Sequence, residues 1–264
     1  PSCYPSIYKE AASVKYSLCI EPVFEDRTFY DRILLAKDLG LDAVEFWDPS
    51  VYDTKQIGSI AARAGIPVAA CCLNQAWTYR MNFAYDIVRK NVEQSIAFGK
   101  DIGCKTFIGL AGDITCKADT QKALLIENLK RVAELCEKEG VTIVLEALNS
   151  ICDHKGYYLD SSYLGFEIVK AVNSPSVKLL FDCYHMQLME GNLVNNITEN
   201  IDFIGHFHSA GVPGRNELHL GETNYPRVIR AAEEAGYTQY FGLEYWPSYE
   251  NNQSVRDVLK YLKG

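Results

Sequence analysis

The sequence lacks any run of about 18 apolar residues, the length that a helix needs to cross a bilayer, so no membrane segment is expected. It also lacks a basic run, because 26 Lys and Arg stand against 34 Asp and Glu, for a formal net charge of -8. A chain with this charge is a poor candidate for binding a nucleic-acid backbone. Residues 1–16 contain no apolar core of the kind found in a secretory signal. These absences predict a cytoplasmic protein with neither a membrane nor a nucleic-acid partner.

Paired cysteine motifs are absent too, since no two of the nine cysteines have the Cys-x-x-Cys spacing of a structural zinc cluster. Several cysteines lie in apolar runs, where a free thiol behaves as a small hydrophobic group. The scattered cysteines therefore predict a reducing compartment and no disulfide framework. Glycine is missing from the segment Glu21–Asp26, which follows the first predicted strand. A doubly wound nucleotide-binding sheet would more often carry a glycine-rich phosphate turn there.

Apolar segments alternate with amphipathic segments along the whole chain. The apolar segments predict strands at 16–21, 41–46, 68–73, 105–110, 141–147, 177–181, 203–209 and 240–245. The amphipathic segments predict helices at 26–39, 54–64, 83–102, 117–139, 161–172, 186–199, 225–235 and 253–262. Strict alternation implies parallel strands. Eight such units in about 250 residues predict a single (β/α)₈ TIM barrel over residues 1–264, with residues 1–15 as an N-terminal extension.

Four successive predicted strands end in side chains that can bind a metal ion: Glu146, Asp182, His208 and Glu244. Each is separated from the next by about one strand–helix unit. Because side chains alternate along a strand, all four can be placed on the inward face of the barrel. The carboxyl ends of barrel strands form the mouth that carries the active site. The sequence therefore predicts that these four side chains meet at one mouth.

Three carboxylates in a confined mouth repel one another unless a cation lies among them. Three carboxylates and one imidazole suit Mg²⁺, Mn²⁺ or Co²⁺, and the imidazole favours Mn²⁺ or Co²⁺. Taken singly, each residue has a simpler interpretation, because a glutamate at a strand end is commonly a rim charge and a buried histidine commonly bonds a neighbour. The coincidence on four consecutive strands is what favours a metal site.

The other histidines receive weaker interpretations. His185 follows Asp182 at the start of a helix, and it is either a helix residue without a role or a substrate contact. His206 lies one layer deeper than His208 on the same inner face and is expected in the core. Nothing in the sequence distinguishes His154 or His219, which lie in loops.

The loop after the seventh strand contains Pro213–Gly214, which predicts a tight turn. This turn would direct Arg215 towards an anionic or hydroxyl-rich substrate. The alternative is that Arg215 pairs with Glu217 or Glu222 and stiffens the loop. Three tryptophans follow strand ends, and one or two of them are expected to wall the pocket: Trp47, Trp77 and Trp246. Trp246, which precedes Pro247, has a structural role as its alternative.

Six segments of the sequence resemble the hydroxypyruvate isomerase family: Leu145–Ser150, Phe181–Gln187, Glu190–Asn192, Val212–Arg215, Gly221–Tyr225 and Gly242–Pro247. That family belongs to the xylose-isomerase-like barrels, which also include the ketose 3-epimerases. The resemblance runs from the first strand to the last. It implies a divalent metal ion held by Glu146, Asp182, His208 and Glu244, with Glu146 and Glu244 as the acid/base pair and with His185 and Arg215 on substrate oxygens.

The function expected on these grounds is metal-dependent isomerisation of a small hydroxy-carbonyl compound, of the hydroxypyruvate or tartronate semialdehyde type or a related sugar, through a cis-enediolate. A ketose 3-epimerase of the tagatose or psicose type is the alternative. It is suggested by His208, where hydroxypyruvate isomerases usually carry Gln, and by the loop 74–81, which lacks their glycine-rich form. A metal-dependent phosphodiesterase related to apurinic endonucleases fits the acidic charge poorly. The sequence leaves open whether identical copies of the chain form a homo-oligomer.

Overall fold

Eight short strands, nearly all buried on both faces, form the centre of the molecule in a computed structural model that describes residues 13–264. Such strands read as continuous apolar runs because helices cover the outside of a parallel sheet. Their bounds are Lys15–Cys19 (β1), Ala43–Phe46 (β2), Val68–Cys72 (β3), Thr106–Leu110 (β4), Thr142–Glu146 (β5), Val177–Asp182 (β6), Ile204–Ser209 (β7) and Tyr240–Leu243 (β8). All pair in parallel in the order β1 to β8, and β8 returns to β1. The predicted (β/α)₈ barrel is confirmed.

Ten α-helices occur in the described part of the chain, and most of them pack around the barrel. They are Ile20–Val23 (α1), Phe29–Asp38 (α2), Thr54–Ala64 (α3), Tyr85–Ile102 (α4), Ala118–Glu139 (α5), Ser162–Val172 (α6), Cys183–Met189 (α7), Leu193–Thr198 (α8), Tyr225–Glu234 (α9) and Asn251–Lys263 (α10). Five of the longer helices turn an apolar stripe towards the strands, as the spacing of their apolar residues predicts.

Two helix predictions were wrong. The helix predicted from residue 26 begins later, at Phe29, because Thr28 caps it by accepting the Asp31 N–H on its hydroxyl at 3.4 Å. The single helix predicted over 186–199 is two helices, α7 and α8. Gly191 and Asn192 both adopt left-handed backbone angles, with φ of 62° and 50°, which interrupts a right-handed helix.

Several strand ends also differ from the prediction by one or two residues. β1 ends at Cys19 instead of residue 21, because Ile20–Val23 forms α1. β6 includes Asp182, one residue beyond the predicted end, whereas β8 ends at Leu243 and leaves Glu244 immediately after it. Most of the predicted N-terminal extension, residues 1–12, lies outside the described residues, and Lys15 already belongs to β1. Among residues 13–264, no helix combines the length and apolarity that crossing a membrane requires.

Candidate active site and metal centre

The four predicted ligand-type residues converge at the carboxyl ends of β5 to β8. One donor atom from each of Glu146, Asp182, His208 and Glu244 can be chosen so that all four lie within 4.8 Å of one another. All four side chains are buried. Strand register places them together, since Asp182 pairs with His208 and His208 pairs with Gly242, two residues before Glu244. The predicted convergence is therefore present in the structure.

The two carboxylate oxygens of Asp182 point in different directions and make different contacts. Its Oδ1 caps α7 by accepting the N–H groups of Tyr184 at 2.7 Å and His185 at 3.1 Å. Its Oδ2 takes no part in this cap and is available to the cluster. Burial raises the pKa of Asp182 to about 7, although the charge of Arg215 opposes the shift. A cation in the cluster would favour its ionised form.

His208 faces the cluster with Nδ1. This nitrogen lies 3.4 Å from Oε1 of Glu146 and 3.5 Å from Oε2 of Glu244, and it is buried without a hydrogen-bond partner. Burial acts to lower the pKa of His208, but the surrounding carboxylates, with Glu244 first, raise it well above its ordinary value. Three carboxylates around an unpartnered imidazole nitrogen form a donor set that suits a divalent ion such as Mn²⁺, Co²⁺ or Mg²⁺.

Glu45 on β2 supports His208 from inside the barrel, and sequence reasoning missed it. Its Oε2 lies 2.9 Å from Nε2 of His208, and its Oε1 lies 2.9 Å from Nε2 of His206 and accepts the hydroxyl of Ser17. Burial alone would raise the pKa of Glu45, but the two imidazoles outweigh it and lower the pKa to about 2. The available signal was a carboxylate at the end of an apolar strand, the same signal that identified Asp182. His206 lies in the core, as predicted.

Glu244 accepts a hydrogen bond on each of its two carboxylate oxygens. Trp47 donates its indole N–H to Oε1 at 2.6 Å, and Arg215 donates to Oε2 at 2.5 Å. Burial acts to raise the pKa of Glu244, but the charges of His208 and Arg215 lower it well below its ordinary value. The alternative pairing of Arg215 with acids of its own loop is wrong, because its salt bridge in the structure is to Glu244.

The loop that carries Arg215 has the predicted tight turn. The Val212–Pro213 peptide is cis, Gly214 has a φ of 94°, and the N–H of Arg215 bonds to the carbonyl of Gly211 at 2.9 Å. The guanidinium is centred 5.1 Å from the ring of Tyr184 and 5.0 Å from that of Trp246. The aromatic rings therefore hold this cation at the mouth.

A cavity of about 160 Å³ opens at the mouth beside the cluster. Its lining residues are Trp47, Cys72, Trp77, Ile108, Glu146, Leu148, His154, His208, Arg215, Glu244 and Trp246. All three of the tryptophans that follow strand ends are among them, although only one or two were expected there. His154 is also among them, although nothing in the sequence marked it, because its position depends on how the loop after β5 folds.

His185, the predicted substrate contact, lies behind this lining. Its side chain is fully buried, and its Nδ1 lies 2.6 Å from the amide nitrogen of Asn149. Its Nε2 has no hydrogen-bond partner and lies 3.6 Å from Oδ2 of Asp182. Burial lowers the pKa of His185 well below its ordinary value, and the charge of Arg215 adds to the effect. A neutral imidazole therefore borders the cluster.

The fold and the site define a (β/α)₈ enzyme whose buried carboxylates and histidine surround a small cavity at the mouth of the barrel. The chain belongs to the xylose isomerase-like TIM barrel family, whose sequence profile matches residues 33–264. The expected superfamily is therefore confirmed.

Several relatives are similar over nearly their whole length. A human protein provisionally named hydroxypyruvate isomerase is 33% identical over 244 residues, which are 87% of this chain and 88% of the human protein. The 2-oxo-tetronate isomerase of Cupriavidus necator is 29% identical, with 94% of this chain and 98% of that protein covered. The hydroxypyruvate isomerase of Escherichia coli is 26% identical, with 94% and 99% covered. The chain is an isomerase or an epimerase.

Solved structures share the same barrel. A protein of Brucella melitensis described as an AP endonuclease of family 2 has a TM-score of 0.88 at 25% identity, with 94% of this chain and 99% of that chain covered. A D-psicose 3-epimerase of Clostridium cellulolyticum, solved with D-tagatose, has a TM-score of 0.80 at 18% identity, with 95% and 98% covered. The second likeness shows the fold alone.

Proposed function

We propose that the protein is a metal-dependent isomerase of a small 2-oxo acid that carries hydroxyl groups, of the hydroxypyruvate or 2-oxo-tetronate type. The observation that carries the proposal is the cluster of Glu146, Asp182, His208 and Glu244 beside a cavity of about 160 Å³. This volume is below the ~300 Å³ at which pockets for drug-sized ligands begin, so it favours a substrate of few carbons. The names of the relatives from Cupriavidus necator and Escherichia coli agree with that size.

Arg215 is the residue proposed to bind the substrate carboxylate. Its side chain lines the cavity and is 14% exposed, and the planar fork of N–H donors on a guanidinium matches a carboxylate in two parallel hydrogen bonds. In the structure this fork bonds Glu244 instead, at 2.5 Å. Substrate binding would therefore exchange one carboxylate partner for another and release an oxygen of Glu244 towards the reacting carbons.

Glu146 and Glu244 are the proposed acid/base pair. They come from β5 and from the end of β8, well apart around the barrel, and both border the cavity. One carboxylate would remove the proton from the carbon next to the carbonyl, and a proton returned to the neighbouring carbon would complete the isomerisation. A divalent ion bound in the cluster would supply polarisation of the carbonyl and acidify that C–H bond.

A ketose 3-epimerase is the second candidate, and His208 is the observation that favours it. Two carboxylates that approach one carbon from opposite faces could remove and return a proton there, which inverts the centre. The relatives named as oxo-acid isomerases are 26% and 29% identical to this chain, whereas the D-psicose 3-epimerase is 18% identical, so the oxo acids are preferred. The phosphodiesterase alternative is weaker, since the cavity has three acidic neighbours and its cation Arg215 is already paired with one of them.

The test is a substrate and metal screen. The purified protein would be incubated with hydroxypyruvate, 2-oxo-tetronate, tetroses and ketohexoses, each with Mg²⁺, Mn²⁺ and Co²⁺. Turnover of the oxo acids and weak or no turnover of ketohexoses is the expected result. Preferred turnover of ketohexoses would select the epimerase instead.

The roles of the two glutamates have a separate test. Glu146→Gln and Glu244→Gln enzymes should each lose about 10²- to 10⁴-fold in exchange of the substrate C–H with solvent deuterium, the usual contribution of a general acid or base. Metal content, measured on the same samples, separates lost proton transfer from a lost ion. Retained metal together with unchanged exchange in both variants would contradict the assignment.

A further inference from the structure

One wall of the cavity is formed by His154 and Trp77, which the proposed chemistry does not use. Trp77 follows β3 and His154 follows β5, on a different arc of the barrel mouth from Arg215, which follows β7. The imidazole of His154 stacks on the indole of Trp77 with centroids 5.7 Å apart and planes 17° apart. The ring of His185 lies edge-on to the imidazole at 5.3 Å, and the ring of Tyr157 lies 6.4 Å away. His154 is thus held flat against one side of the cavity.

The loop that presents His154 is tied down by its own hydrogen bonds. The side-chain oxygen of Asn149 accepts the N–H groups of Cys152 at 3.1 Å and Asp153 at 2.9 Å. The N–H of His154 donates to the carbonyl of Asn149 at 3.1 Å. The carbonyl of His154 accepts the N–H of Tyr157 at 3.0 Å. The imidazole is therefore positioned before any substrate enters.

The ring nitrogens of His154 have no hydrogen-bond partner among residues 13–264, although the side chain is only partly exposed and lines the cavity. Burial lowers the pKa of His154, while the charge of Glu146 opposes the shift, so the neutral ring is favoured near pH 7. A neutral imidazole has one donor and one acceptor nitrogen, which matches a hydroxyl group. Arg215 also lines the cavity, and the proposed function assigns its guanidinium to the substrate carboxylate. His154 is therefore left for a different group of the substrate.

We propose that His154 determines substrate length by hydrogen bonding the hydroxyl group beyond the two reacting carbons, with Trp77 packing beside it. This assignment rests on the proposed function. It gives a four-carbon oxo acid a hydrogen bond that a three-carbon oxo acid cannot make. The carboxylate is bound at Arg215, the reacting carbons lie beside Glu146 and Glu244, and the terminal hydroxyl at carbon 4 meets His154. A site built to bond a hydroxyl discriminates against a ligand that lacks it, because its polar atom is left unpaired.

Binding of unreactive acids tests this assignment apart from turnover. Erythronate and glycerate are the four- and three-carbon hydroxy acids, and neither has the carbonyl that the isomerisation needs. Their affinities would be measured by calorimetry with Mn²⁺ present, for the wild type, His154→Phe and His154→Gln. His154→Phe keeps a flat ring for Trp77 and removes both nitrogens. The matched control is His219→Phe, the same change in a loop whose histidine contacts Tyr249 and does not line the cavity.

We expect His154→Phe to weaken erythronate binding at least 10-fold and glycerate binding less than 3-fold. His154→Gln, whose amide both donates and accepts, should restore part of the preference, and His219→Phe should behave as wild type. Equal losses for both acids in His154→Phe would make His154 a packing residue and overturn the proposal. So would a wild type that binds erythronate no more tightly than glycerate, or not at all. If the wild type shows the preference but isomerises neither oxo acid, the proposed function fails and the length-selecting contact stands.

Discussion

Replacing Glu45 with Gln tests whether the carboxylate inside the barrel anchors the imidazoles of the site. Glu45 is 1% exposed, and each of its oxygens lies 2.9 Å from the Nε2 of one histidine, His206 or His208. Glutamine keeps the shape but removes the charge. It also turns one oxygen acceptor into an NH₂ donor, which then faces the N–H of an imidazole. A buried imidazole is left without its acceptor.

Two independent arguments give the size of the effect. The pKa of Glu45 is lowered from 4.5 to about 2, and at ~1.36 kcal/mol per pKa unit this difference corresponds to about 3 kcal/mol of stability at neutral pH. Removing one partner of a buried ion pair costs about 3–5 kcal/mol. At roughly 2–4 °C per kcal/mol for a domain of this size, the melting temperature should fall by about 6–12 °C.

Urea denaturation at pH 7 and at acidic pH provides the measurement. Because the folded-state pKa of Glu45 is depressed, its stabilisation is fully present above pH 4.5 and is lost as the pH falls towards 2. The difference between wild type and Glu45→Gln should therefore shrink over that window. Glu93→Gln is the control, since Glu93 pairs with Arg89 on the surface and should change stability by less than about 0.5 kcal/mol. A Glu45→Gln enzyme as stable as this control at pH 7 would refute the anchoring role.

Three further changes have defined outcomes. Burial raises the pKa of Glu21 to about 7, so the ionisation of Glu21 should lower the free energy of unfolding as the pH rises from 4.5 to 7. In urea titrations at pH 5 and pH 8, Glu21→Gln should remove up to about 3 kcal/mol of this pH dependence. Mn²⁺ at 100 times its dissociation constant should stabilise the wild type by about 2.7 kcal/mol in a thermal-shift assay, and Asp182→Asn should abolish most of this response. A Cβ at Gly58 would collide with the backbone oxygen of Asp101, so Gly58→Ala should cost about 1–3 kcal/mol in urea denaturation, against less than about 0.5 kcal/mol for the exposed Ser59→Ala.

The barrel could be predicted from the sequence because its strands are buried on both faces and read as continuous apolar runs. What the sequence did not locate were local interruptions, such as the break between α7 and α8. Apolar spacing continues across residues 186–199, but Gly191 and Asn192 adopt left-handed angles that the spacing does not record. Helix starts were misplaced for a similar reason, since Asp26 and Thr28 both suit a cap and only the folded chain shows which one accepts the bond.

The ligand cluster could be predicted because each member ends a strand, and strand order places neighbouring ends together. Glu45 was missed because its partner His208 is 163 positions away on β7 and becomes a neighbour only when the barrel closes. His154 was missed for another reason. Its place on the cavity wall depends on the turn that Asn149 holds, and loops of this kind have no periodic pattern to read.

The cluster of Glu146, Asp182, His208 and Glu244 is supported by a different part of the molecule from Arg215 and His154, which line the cavity. The imidazole of His208 is fixed by Glu45 across the closed barrel, and Gly242 leaves room for both, since a Cβ there would lie 2.7 Å from Cδ2 of His208 and 2.8 Å from Oε1 of Glu45. Arg215 and His154 instead stand on loops beyond the strands. Loops tolerate change far better than a packed barrel interior does. Substitutions in the two loops can therefore alter which substrate length and charge the site prefers. The cluster that would hold the metal ion keeps its geometry, because the strand register fixes it.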